Sequence, residues 1–197
     1  DLVAFSDDDA HFYACISDGM GSGKKAAAAS QVVVDFIECM LSSGAATYGR
    51  SARSIIEMLN GFLRTKNFGS VDECSATVDL LELDTVNKSA FFCKCGAAPT
   101  YVYRGGSLFK LRSDTLPIGI MAEVDCRAIK FSVDAGDLLV MMSDGVVQGR
   151  DECPWLYDLL RANADKSSPD SIADKIIKYA KNSGSTDDIS VAVIKIK

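Results

Sequence analysis

Ser75-Ala-Thr-Val-Asp-Leu-Leu-Glu-Leu83 and Ser89-Ala-Phe-Phe-Cys-Lys-Cys95, joined by a short turn through Asn87, read as the two strands of a β-hairpin. Two more hairpins are expected downstream. Tyr101–Tyr103 and Ser107–Leu111 flank Gly105-Gly106, a two-residue turn signal, and Arg127–Val133 and Asp137–Met142 flank Asp134-Ala-Gly136. Upstream, His11–Ile16 reads as a short buried strand and Gly19–Gly23 as a glycine-rich bend.

Helices occupy separate stretches. Lys24–Leu41 repeats Val33, Phe36, Ile37, Met40 and Leu41 at helical spacing and stops at Ser42-Ser-Gly44. Ala52–Lys66 places Ile55, Leu59, Phe62 and Leu63 on one stripe. A helix from about Pro154 buries Leu156, Leu159 and Leu160. Another takes Ser168 as N-cap and Pro169 as its first residue, with Ile172, Ile176 and Tyr179 on one face. The last strand, Ile189–Ile196, is apolar on both faces. Hairpin strands with helices set apart predict an α+β fold. The expected form is a four-layer α-β-β-α sandwich, with two mainly antiparallel sheets packed face to face and helices outside. Residues 1–197 are read as one domain.

The chain has 197 residues, 48% apolar and 24% charged, which suits a globular domain. Its net charge of −6 argues against general nucleic-acid binding, because a phosphate backbone attracts basic surfaces. The seven cysteines follow no disulfide framework. Cys93 and Cys95 face the same way on a strand, but no second pair completes a zinc site, so reduced, mostly buried cysteines are expected. No run of about 18 apolar residues is present. The start at Asp1, close to a strand-like stretch, is expected of a piece of a longer protein. The reading is a cytoplasmic domain without membrane contact of its own, any anchor being left to upstream segments.

Phe12–Ile16 and Leu138–Met142 both run into Ser-Asp-Gly, at Asp18 and Asp144. Thr186-Asp187-Asp188 stands just ahead of a third apolar run. A lone Asp-Gly is an ordinary turn dipeptide. Two identical steps after buried runs, with carboxylates before a third, are what magnesium or manganese would require: a few rigid oxygen ligands, with the rest water. Glycine lets backbone approach a cation, so the Gly19 carbonyl is a further candidate ligand. If the last strand runs antiparallel to the other two, Asp18, Asp144 and Asp187 meet at one sheet edge. Gly19-Met-Gly-Ser-Gly23-Lys24 fails as a nucleotide loop, since Asp18, Lys24 and Lys25 occupy positions where the phosphate-binding patterns need other residues.

At these residues the chain resembles the metal-dependent protein phosphatases of the type 2C (PPM) superfamily. Ser17–Gly23 followed by an alanine-rich helix is similar to the bacterial stage II sporulation protein E (SpoIIE) branch. Thr77-Val-Asp-Leu80, Gly96-Ala-Ala-Pro99, Leu116-Pro-Ile-Gly119, Ser143-Asp-Gly145 and Thr186-Asp-Asp-Ile-Ser190 match in order. The resemblance implies a phosphatase using two divalent cations, manganese or magnesium. Asp18 would bridge them, Gly19 would lend its carbonyl, and Asp144 and Asp187 would complete the ligands. Asp1 matches an upstream aspartate that orients the attacking water, which leaves Asp7–Asp9 as an exposed turn.

The implied substrate is a phosphorylated anti-sigma-factor antagonist, whose dephosphorylation leads to release of a sigma factor in sporulation. Residues 24–66 match helices that switch activity, with a homodimer through them. Met20 stands where eukaryotic members carry a histidine general acid, so proton donation falls to water. His11 is read as structural, and Lys24 and Lys25 as solvated or as an attraction for phosphoprotein. Two alternatives stay open: another metal-dependent phosphoesterase, and a catalytically silent regulatory module of the same fold.

Overall fold

A computed structural model describes residues 1–7, 10–42, 52–68, 74–124, 126–147 and 153–197. The chain divides into two compact units, Asp1–Ala97 with Ser113–Ser132, and Ala98–Arg112 with Val133–Lys197. The expected helix stop at Ser43 and Gly44, and Asp8 and Asp9 of the expected acidic turn, lie outside the described residues.

The first unit is built on a five-stranded antiparallel sheet. Its strands are β1 (Leu2–Asp7), β2 (His11–Ser17), β3 (Val78–Asp84), β4 (Ser89–Cys95) and β7 (Arg127–Ser132), in the order β1-β2-β3-β4-β7. The expected β3–β4 hairpin is present, with Val78 opposite Cys95 and Asp84 opposite Ser89. The ladder starts at Val78 and not at Ser75. Ala76 instead bridges Gly19 on one side and Ile118 on the other.

Helices α1 (Gly23–Ser42) and α2 (Ala52–Asn67) bury Val33, Ile37, Ile56, Leu59 and Leu63 with Val78, Leu80, Cys93 and Cys95 of the sheet. Every second strand residue and every third or fourth helical residue meet here, as the two periodicities require. Each such Leu or Ile contributes roughly 1.5–3 kcal/mol. Phe62 departs from its expected burial. It lies at the margin of the α2 stripe, 48% exposed, with its ring 5.7 Å from that of Phe36. None of the seven cysteines is in a disulfide, and Cys93 and Cys95 share one buried face as alternation predicts.

The second unit has a four-stranded antiparallel sheet, β6-β5-β8-β9, made of β5 (Thr100–Arg104), β6 (Ser107–Leu111), β8 (Leu138–Met142) and β9 (Val191–Lys195). Its helices are α3 (Asp144–Val147), α4 (Pro154–Asn163) and α5 (Pro169–Asn182). Every residue of β8 is buried, and Leu138, Val140 and Met142 pack with Leu156, Leu160, Ile172 and Ile176. The Ser168 side chain accepts the Ser171 N–H at 3.3 Å, with Pro169 following it, which caps α5 as its sequence predicts. Tyr179 is partly exposed and stacks on Trp155 at 4.1 Å.

The third expected hairpin does not form. β7 pairs with β4, whereas β8 pairs with β5 and β9. The Asp134–Gly136 turn is closed by other partners. Asp137 Oδ2 accepts the Asp134 N–H at 2.9 Å, Ile196 O accepts the Gly136 N–H at 2.9 Å, and Arg104 forks onto the Asp137 carboxylate. With its backbone donors satisfied there, the turn needs no ladder between the strands it joins. Among the described residues no helix is long and apolar enough to cross a membrane.

Candidate functional site

In the first unit, the β2–β3 register sets the surroundings of Asp18. Ile16 lies opposite Asp79, so Asp18, just past the end of β2, faces Thr77. Thr77 holds the Ser17–Asp18 step three ways: its Oγ1 accepts the Asp18 N–H at 3.0 Å, its own N–H donates to Asp18 O at 2.7 Å, and its carbonyl accepts Ser17 Oγ at 2.8 Å. The Asp18 side chain remains 29% exposed, open to a ligand. Gly19 follows in a β-bridge to Ala76, and a Cβ there would stand 1.9 Å from Ala26 O of α1. Only glycine fits that approach. Asp1 is brought to the same place, because Leu2 pairs with Ser17; its backbone nitrogen is 3.9 Å from Asp18 Oδ1.

The second unit builds its acidic edge differently. β9 runs antiparallel to β8, with Met142 opposite Val191, so the start of β9 lies beside the end of β8. Ser143 bridges the gap. Its N–H donates to Ser190 O at 2.9 Å, and its Oγ accepts the Ser190 N–H at 3.0 Å. Asp144 and Asp187 are both exposed, and Asp187 Oδ1 accepts the Asp188 N–H at 2.9 Å. A Cβ on Gly145 would lie 2.0 Å from Asp188 O and 3.4 Å from Asp187 Cβ, so this glycine too is required by close backbone approach.

The expectation that the carboxylates belong to one sheet edge is therefore corrected. Asp144 and Asp187 share an edge of the four-stranded sheet, while Asp18 and Asp1 belong to the five-stranded sheet. Among the described residues no three His, Cys, Asp or Glu side chains gather as a metal-ligand group. Each half nevertheless offers oxygen donors alone, fixed at strand ends and open on one side, which fits a hard divalent cation.

His11 stands at the far end of β2, roughly 23 Å along the strand from Asp18, and stacks on Tyr13. It takes no part in the acidic edge. Met20 is 51% exposed beside Gly19, and Lys24 and Lys25 are exposed in the first turn of α1. Sequence reasoning missed the role of Thr77. Its only signal is a place opposite Asp18, which needs the strand register.

Residues 8–197 match the family described as Stage II sporulation protein E (SpoIIE). The chain is 31% identical over 192 residues to Stage II sporulation protein E of Bacillus subtilis (strain 168), covering 94% of this chain and 22% of that protein. It is 31% identical over 189 residues to the Priestia megaterium protein of the same name, covering 92% and 31%. It thus spans less than a third of the length of these curated relatives. Among solved structures, the PP2C phosphatase domain of the Bacillus subtilis cell fate determinant SpoIIE, with a fragment of its regulatory domain, matches with a TM-score of 0.82 at 29% identity, over 99% of this chain and 58% of that one. RsbX in complex with magnesium shares the fold at 17% identity, with a TM-score of 0.78, over 100% of this chain and 86% of that one.

Proposed function

We propose, for a chain that belongs to the stage II sporulation protein E (SpoIIE) family as its PP2C-type serine/threonine phosphatase domain, the hydrolysis of a phosphoserine or phosphothreonine monoester on a protein. The observation that carries this reading is the pair of strand-end aspartates, each followed by a glycine that admits no side chain. Metal dependence goes with this phosphatase family. We assign Asp18, the Gly19 carbonyl, Asp144 and Asp187 as the residues that would hold two divalent cations, manganese or magnesium. When bound, such cations supply Lewis-acid charge to phosphoryl oxygens and acidify water.

The chain's own residues would do the rest. Asp18, clamped at its backbone by Thr77, keeps its carboxylate directed by the sheet and not by a mobile loop. Asp1, facing Asp18, would accept a hydrogen bond from the attacking water and set its direction. Met20 carries no titratable proton, so the leaving alkoxide takes its proton from water.

The substrate we favour is a phosphorylated anti-sigma-factor antagonist, whose dephosphorylation would lead to sigma-factor release, in a cytoplasmic setting. Residues 24–66 would act as the regulatory segment, with a homodimer formed through them. Side chains of α2 support a route from that segment to the acidic edge. Asn60 Oδ1 accepts the Gly119 N–H at 2.8 Å, and Asn67 brackets Cys74, accepting its N–H at 2.8 Å and donating to its carbonyl at 2.9 Å. Both contacts adjoin Ala76, the bridge partner of Gly19.

Phosphate release from a phosphoserine protein in manganese tests the reading. Wild type should turn over and Asp144→Asn should lose at least a hundredfold, the order expected when a charge-stabilising group is removed. Equal rates in both would overturn the site, and no release from either would overturn the activity.

A further inference from the structure

Lys94 and Asp79 form an ion pair inside the first unit, Nζ to Oδ2 at 2.5 Å, with side chains 0% and 2% exposed. They sit directly opposite each other on β4 and β3. Burial lowers the Lys94 pKa, and Asp79 beside it acts in the opposite direction. Such a pair is a poor way to gain stability. Removing two charges from water costs several kcal/mol per ion, and apolar residues of similar size often serve as well or better. Its place in the sheet gives a different reason for it.

Residues directly opposite across an antiparallel ladder share a face, as do residues two apart on a strand. Asp79 lies opposite Ile16, and two residues on Thr77 lies opposite Asp18. The ion pair therefore occupies the row next to Asp18 and Thr77, on the same face, about 7 Å along the strands. Thr77 and Ala76 lie beyond the β3 ladder, which ends at Val78. On the β4 side, Lys94 O accepts Thr115 Oγ1 at 3.0 Å, and Gly96 N–H donates to that same hydroxyl at 3.3 Å. The segment from Thr115 reaches Ile118, which exchanges two hydrogen bonds with Ala76. The pair thus stands at the root of both arms that meet Asp18 and Gly19.

We propose that Asp79 and Lys94 are positioning residues for the Asp18–Gly19 step. They lock the β3–β4 register where the ladder ends, so that Thr77 and Ala76 present fixed partners to the backbone of the proposed cation ligands. The proposal rests on the metal-dependent reading above.

The test compares three forms of the whole chain by calorimetric titration with manganese chloride and by thermal melting. The apolar double variant Asp79→Leu/Lys94→Met should melt within a few degrees of wild type yet bind manganese about tenfold more weakly, the lower end of what loss of a ligand-orienting partner does. The neutral pair Asp79→Asn/Lys94→Gln keeps a cross-strand hydrogen bond and should stay within about threefold of wild type. Hydrogen exchange at the Asp18 and Thr77 amides should speed up in the apolar variant alone. A stable apolar variant with wild-type affinity and unchanged exchange overturns the proposal. If the apolar variant does not fold, a neutral pair that loses affinity as much as Asp18→Asn does so instead. Wild type that binds no manganese sinks the metal reading itself, while faster exchange in the apolar variant alone still supports the positioning role and unchanged exchange overturns it.

Discussion

Ser17-Asp18-Gly19 and Ser143-Asp144-Gly145 carry the same letters after strands whose last residues are buried, yet the chain leaves them in opposite ways. After Asp18 the backbone stays extended and Gly19 enters a bridge to Ala76. After Met142 it turns at once into α3, beginning at Asp144. The serines differ as well. Ser17 donates its hydroxyl to Thr77 O, whereas the Ser143 hydroxyl both donates to Asp188 O at 3.4 Å and accepts the Ser190 N–H at 3.0 Å. What the two steps share is the glycine, in each case pressed against a carbonyl from another segment, Ala26 O or Asp188 O. The common letters therefore encode a close backbone approach beside a carboxylate and not a common backbone path.

The strongest attack on that equivalence is a methyl group. Gly19→Ala and Gly145→Ala should each lose about 3 kcal/mol, the upper range for forcing atoms into filled space. A melting-temperature drop of roughly 6–12 °C should follow in a chain of this size. A loss below about 1 kcal/mol at either glycine breaks the parallel.

The serines should separate the steps. Ser143→Ala strands a backbone N–H at Ser190 and should cost roughly 1–3 kcal/mol, while Ser17→Ala removes a donor from Thr77 O and should cost about 1. Denaturant midpoints that fall equally would show that the two hydroxyls do the same job.

The smallest effect lies outside both steps and gives a baseline for a carboxylate held by a single turn residue. Asp84 accepts the Asn87 N–H at 2.7 Å and its amide Nδ2–H at 2.7 Å, and these bonds hold its carboxyl below the usual carboxylate range. A folded pKa below the unfolded one contributes stability above the unfolded value that disappears as pH falls through the folded one. Stability curves of Asp84→Asn and wild type should thus run parallel above about pH 5 and draw together below about pH 4, where wild type loses the Asp84 contribution. Parallel curves throughout would show that the turn does not perturb Asp84.

Much of this was legible in the letters. The α1 and α2 stripes, the Ser168 cap and the hairpins through Asn87 and Gly105-Gly106 are local patterns, and local hydrogen bonds and side-chain periodicity specify them. The failure at Asp134–Gly136 was of another kind. A turn signal between two strands says that the chain bends, not that the strands pair, and here the turn's donors were satisfied by Asp137 and Ile196. Thr77 and the Asp79–Lys94 pair were equally out of reach. Each owes its meaning to a partner tens of residues away or across a register that single letters do not carry.

The candidate site divides along the same line. Residue types, their order and the family resemblance singled out Asp18, Gly19, Asp144 and Asp187 as candidates, because hard cations need carboxylate oxygens and close backbone approach needs glycine. Only the tertiary structure decided that Asp18 and Asp144 stand on different sheets, that Thr77 and Ser190 hold the backbone beside them, and that both glycines are sterically obligatory. Those facts depend on which strands share hydrogen bonds, and pairing between distant segments is settled by the packing of the whole chain.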